Sequence, residues 1–140
     1  MRSYNFRMEK ILDYRQKIEK DVSVRFAEAA HRLERQKKKL DTIHREYEKA
    51  SSDRHGDVPS MQMQFLYKEK LRSQYLEQEK KIEETAEELE DIRKDLLEAT
   101  KDRKIMERLK EKDRDRFETE RKNQQQKELD EIAVLKHQGT

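Results

Sequence analysis

Hydrophobic positions recur every three to four residues along most of this chain. One stripe runs Met8, Ile11, Arg15, Ile18, Val22, Phe26, Ala29, Leu33, Gln36, Leu40, Ile43, Tyr47 and Ala50, with one extra four-residue step near Val22, and 11 of its 13 positions are apolar or aromatic. A second runs Met63, Tyr67, Leu71, Tyr75, Gln78, Ile82, Thr85, Leu89, Ile92, Leu96, Ala99, Arg103 and Met106, with 10 of 13 apolar or aromatic. A period near 3.5 sustained over this length is the pattern of a helix that buries a narrow seam against another helix. Between the stripes, residues 51–60 gather Ser51, Ser52, Asp53, Gly56, Asp57, Ser60 and the single proline, Pro59, which marks a loop. The pattern predicts an all-α fold in one coiled-coil domain over 1–140: helix 1 over about 4–52, a loop over about 53–58, and a longer helix 2 over about 59–136, roughly 75 and 115 Å long.

If the helices fold back on each other, facing residues have numbers that sum to about 114. Met8 then meets Met106, Ile18 meets Leu96, and Gln36 falls opposite Gln78, where two buried amides can bond each other and hold the register. This antiparallel register leaves about 26 residues of helix 2 without an intramolecular partner, roughly 40 Å of helix. Composition changes along that overhang. From Glu107 to Glu128 only Leu109 and Phe117 are apolar, and Leu129, Ile132, Ala133, Val134 and Leu135 then form a short apolar cluster.

Composition narrows the function. The 140 residues include 34 Lys or Arg and 32 Asp or Glu, and only 31% are hydrophobic, too few for a globular core but enough for two seams. A net charge of +2 offers no global field for nucleic acid, so neither DNA nor RNA is an expected partner. The longest aliphatic run, residues 132–135, is far short of the roughly 20 residues that span a bilayer. Residues 1–12 have no continuous apolar core and do not read as a secretory signal. A cytoplasmic address is expected, and the absence of cysteine agrees with it.

The search for chemistry returns little. Two glycines, Gly56 and Gly139, cannot build a phosphate-cradling loop. The histidines His31, His44, His55 and His137 are not spaced as i, i+4 pairs, so no metal site is expected. Carboxylates such as Glu83, Glu84, Glu87 and Glu88 sit where an exposed helix face offers no desolvation to raise a pKa. No catalytic residue and no cofactor are expected, and the chain does not read as an enzyme. The basic stretches 35–39 and 103–116 read as solvated faces, with an acidic partner as the alternative for Arg35, Lys37, Lys38 and Lys39. Tyr47, Phe65, Tyr67 and Tyr75 gather near the loop, either as seam packing or as a partner patch.

Both ends of the chain carry a resemblance. Tyr4-Asn5-Phe6-Arg7-Met8-Glu9-Lys10-Ile11-Leu12-Asp13-Tyr14-Arg15, then 103–110 and Gln126-Lys127-Glu128-Leu129-Asp130-Glu131-Ile132-Ala133, resemble the flagellar export protein FliJ family, with the stalk proteins of related type III secretion systems as more distant relatives. One departure is Gln125, where the family has a glutamate before the Gln-Lys pair. The resemblance implies an antiparallel coiled coil similar to the central stalk of rotary ATPases. It also implies partners: the hexameric flagellar export ATPase, the export-gate membrane protein and, for some members, export chaperones. The chain would then be peripheral to the inner face of the cell membrane and act in flagellum biogenesis, motility and chemotaxis.

On that reading the ATPase ring is expected to contact Phe6, Arg7, Met8, Lys104, Glu107, Lys110, Lys127, Asp130 and Glu131. The export gate is expected to contact Leu40, Ile43, Tyr47, Leu71 and Tyr75. The rival reading from the residues alone is a structural coiled coil that pairs with a second copy of itself and has no export role.

Overall fold

A computed structural model describes residues 3–54 and 56–139; His55, one of the four histidines considered above, lies outside them. Two helices make the fold, α1 over Glu9–Ser52 and α2 over Val58–Gln138. They pack against each other as an antiparallel hairpin in which α2 is the longer and overhangs. Glu9 opens α1, Lys49 lies in its last turn and Lys136 in the last turn of α2, each charge matching the sign that the helix dipole favours there. The main-chain carbonyl of Asp57 accepts the first bond of α2 from the Met61 amide, at 3.1 Å. Pro59 follows in the first turn, where a missing amide proton costs nothing.

The chain divides into two compact units that share both helices, one of residues 1–20 with 98–140 and one of residues 21–97. In the terminal unit, Phe6, Leu12 and Met106 form a buried cluster with Tyr4 against it. Helix α1 starts at Glu9, later than residue 4, because Tyr4 and Phe6 instead lie along α2. The Glu9 amide donates to the Phe6 carbonyl at 3.2 Å, and the Tyr4 ring stands 5.4 Å from that of Phe117. A non-helical segment covers about 3.3 Å per residue against 1.5 Å in a helix. It therefore reaches to Phe117, beyond residue 110 where a helical start would have placed residue 4. The overhang is correspondingly shorter: residues 119–139 are all exposed, about 30 Å of helix.

The inward set of α1 here begins Leu12, Arg15 and Glu19, with Leu12 in place of Ile11, and Ile18 stays half-buried beside Glu19. Leu12 is 3% exposed and Ile11 45%. The observed set continues to Val22 in strict three- and four-residue steps and removes the extra step that the hydrophobic residues alone required. Glu19 can take a seam position because Arg103 meets it across the interface at 2.8 Å.

In the loop unit, Ile43, Ala50 and Leu71 form the buried cluster, with Tyr47 and Tyr75 packed against it. The Gln36 and Gln78 positions do face each other, with a different bond from the one expected. Gln78 Nε2 donates to the Gln36 main-chain carbonyl at 3.0 Å, and the Gln36 side-chain oxygen is buried without a hydrogen-bond partner. Near the loop the seam of α2 runs Gln64, Lys68, Leu71, so Met63 (73% exposed) and Tyr67 point outward. The last carbonyls of α1 lack helical donors. Gln64 Nε2 supplies them, donating to the Ala50 carbonyl and, at 2.9 Å, to that of Asp53. Lys68 Nζ lies 5.5 Å from the centre of the Tyr47 ring, a cation over a π face.

Candidate partner-binding surfaces

The terminal unit is clasped by its N-terminal segment. The Tyr4 hydroxyl bonds the Asp113 carboxylate at 3.0 Å and the Lys110 main-chain carbonyl at 3.2 Å. Loss of water around the phenol, then the Asp113 carboxylate, raise the Tyr4 pKa above its ordinary value. One turn along, Lys110 Nζ lies 2.9 Å from the Glu9 carboxylate. Beyond it, Arg103 bridges Glu19 at 2.8 Å and Glu107 at 2.7 Å. The Arg103 hydrogen bond lowers the Glu19 pKa, and bonds to Glu19 and then Glu107 raise that of Arg103. These contacts bring three acids and two bases together along the helix pair, where they satisfy each other.

The expected ring-contact residues accordingly occupy different settings. Phe6 is buried in the cluster with Leu12 and Met106. Glu107 and Lys110 are half-buried and held in the ion pairs just described. Arg7, Met8 and Lys104 are exposed. Lys127, Asp130 and Glu131 lie on the overhang, fully on the surface, where Gln126 Nε2 donates to Asp130 Oδ1 at 3.0 Å. Leu129, Ile132, Val134 and Leu135 are exposed beside them. A helix with apolar side chains and no intramolecular neighbour gains most of its stability when a partner supplies packing.

The expected gate-contact residues belong to the core of the loop unit. Ile43 and Leu71 are buried, which puts them beneath a contact surface, and Leu40, Tyr47 and Tyr75 are half-buried. The side chains that do stand out at this end are Val58, Met61, Met63, Phe65 and Leu66. Tyr47 and Tyr75 are seam packing, whereas Phe65, at 63% exposure, is not. A count of apolar residues in the first turns of α2 beyond what one seam can hold was the signal for this patch. His44 lies 2.9 Å from Glu48 and 6.2 Å from the Tyr75 ring. Among the described residues no group of His, Asp and Glu is arranged to hold a metal, and no helix is long and apolar enough to cross a membrane.

Two long antiparallel helices joined by a short loop, packed along a seam of small clusters, define a hairpin of the coiled-coil class. The sequence model of flagellar FliJ proteins matches residues 4–140, and the chain belongs to that family. It is a structural component associated with flagellar protein export. Neither the curated proteins nor the solved structures give a match to this chain.

Proposed function

We propose that the chain is a stalk and adaptor of the flagellar export apparatus, engaging the hexameric export ATPase with its terminal unit and the export-gate membrane protein with its loop unit. The observation that carries this reading is the overhang, in which residues 119–139 are all exposed. A ring with a central opening would cover them. Its mechanism is conformational: the overhang orders against the ring and transmits contact between ring and gate, with no bond chemistry. Phe6, Arg7, Met8, Lys104, Glu107 and Lys110 form the collar of the assigned surface, and Lys127, Asp130 and Glu131 its tip.

At the gate end, Leu40, Ile43, Tyr47, Leu71 and Tyr75 hold the helices together beneath the exposed apolar residues, so the gate would feel them through shape and rigidity. Export chaperones are further candidate partners of the same apparatus, and a peripheral position at the inner face of the membrane follows from the gate contact. The test is a triple change of Lys127, Asp130 and Glu131 to Ala. It should weaken co-sedimentation with the ATPase hexamer and reduce its stimulation while leaving helicity intact. Unchanged binding and stimulation would remove the overhang from the assigned surface.

A further inference from the structure

The two flanks of the terminal unit differ in kind. In an antiparallel helix pair, positions one step before an inward residue on either helix fall on the same flank, because each residue turns the helix by about 100°. On α1, Ile11 precedes inward Leu12 and Tyr14 precedes inward Arg15. On α2, Ile105 precedes inward Met106 and Leu109 precedes inward Lys110. All four are exposed, and they make one apolar strip contributed by both helices. The opposite flank carries Glu9, Glu107 and the ion pairs to Lys110 and Arg103.

The apolar strip is also held in shape. The Arg15 guanidinium lies 6.0 Å from the centre of the Tyr14 ring and 3.4 Å from Asp102, so the aromatic side chain stacks on a cation that is itself anchored across the seam. Toward the overhang the strip ends in exposed Arg7, Lys112 and Arg116. Rows of apolar side chains along two parallel axes offer the groove into which a third helix packs.

We infer that this flank is the collar's docking groove for the ATPase ring, and that it takes an amphipathic helix whose apolar stripe is followed by carboxylates. The inference rests on the ring-binding reading above and specifies the side of the unit that meets the ring. The cations at one end fix the direction of the helix by pairing with its acids, and the strip supplies the anchors. On the other flank Glu107 and Lys110 belong to the collar by holding its shape, through their ion pairs with Arg103 and Glu9.

The experiment uses the full chain and the purified ATPase hexamer in a binding titration at two salt concentrations. Changing Ile11 and Leu109 together to Asp should weaken binding about thirtyfold, the effect of losing a well-buried interface anchor. Because both residues are exposed, helicity should persist, and circular dichroism checks it. Lys112→Glu with Arg116→Glu, which touches no packing, should slow association and lessen its salt dependence. Asp13→Lys on the opposite flank should change neither. Wild-type affinity in both flank variants would overturn the inference while leaving the ring-binding reading standing. Failure of the unaltered chain to bind the hexamer would overturn that reading itself. If the apolar variant abolishes a sedimenting dimer and leaves ring binding untouched, the flank is a contact between copies of this chain, and the inference is again overturned.

Discussion

Replacing Gln36 with Leu should stabilise the protein. The Gln36 side-chain oxygen is buried with no hydrogen-bond partner, and a stranded acceptor of this kind costs about 1–3 kcal/mol. Leu removes that acceptor and places an apolar side chain in a half-buried seam position, worth roughly half the 1.5–3 kcal/mol of full burial. Against this stand the lost packing of the amide and some strain from a branched side chain, of order 1 kcal/mol. The balance is about 1–3 kcal/mol in favour of the variant, which for a chain of this size raises Tm by about 3–12 °C. The register should survive, because Gln78 bonds the main-chain carbonyl of Gln36 and not its side chain. Urea unfolding followed by helix circular dichroism is the assay, with an unchanged slope showing that the same surface unfolds. A loss of 1 kcal/mol or more at constant slope would refute the reasoning, since the amide would then be satisfied in solution.

Leu71→Ala should cost about 2–3 kcal/mol in the same assay, because it empties the centre of the loop-unit cluster. Glu19 holds its charge more tightly in the folded state than in the unfolded one, so its contribution is present above the ordinary glutamate pKa and is lost as pH falls through the lowered folded value. Arg103→Met should abolish this acid-side step in a pH series of unfolding curves. Tyr4 has the opposite sign: its raised pKa makes the clasp most stable below about pH 10 and weaker as pH rises through the folded value. A spectroscopic titration should find two tyrosines ionising late, Tyr4 and Tyr75, and Tyr4→Phe should remove one of them. Amide exchange should be fastest within α2 over residues 119–138, where every side chain is exposed.

The architecture was legible because burial by a helix has a period, and two stripes separated by a cluster of turn residues leave few other folds. The phase of each seam was less legible. Ile11 and Leu12 are equally apolar neighbours, and what selects Leu12 is the strict heptad that puts Glu19 opposite Arg103, a pairing visible only across the seam. Likewise Met63 yields its expected place to Gln64 because the end of α1 needs hydrogen-bond donors, a demand of the backbone that hydrophobicity does not encode. The non-helical start escaped for a related reason. A helix from residue 4 would put Tyr4 and Phe6 on different faces, whereas the non-helical segment lays both against α2. Of the candidate surface, the charged overhang could be read from composition alone. That Glu107 and Lys110 are engaged internally, while Ile11 and Leu109 face outward, could not.

The central claim is that the end of α2 lies against the ATPase ring. A photo-crosslinking side chain at position 132, within the exposed overhang, and another at position 87, on the surface of the loop unit, compare the two regions in one measurement with the assembled hexamer. A covalent adduct with the ATPase is expected from position 132 and none from position 87. An adduct from position 87 alone, or from neither position when the hexamer co-sediments with the chain, would contradict the claim.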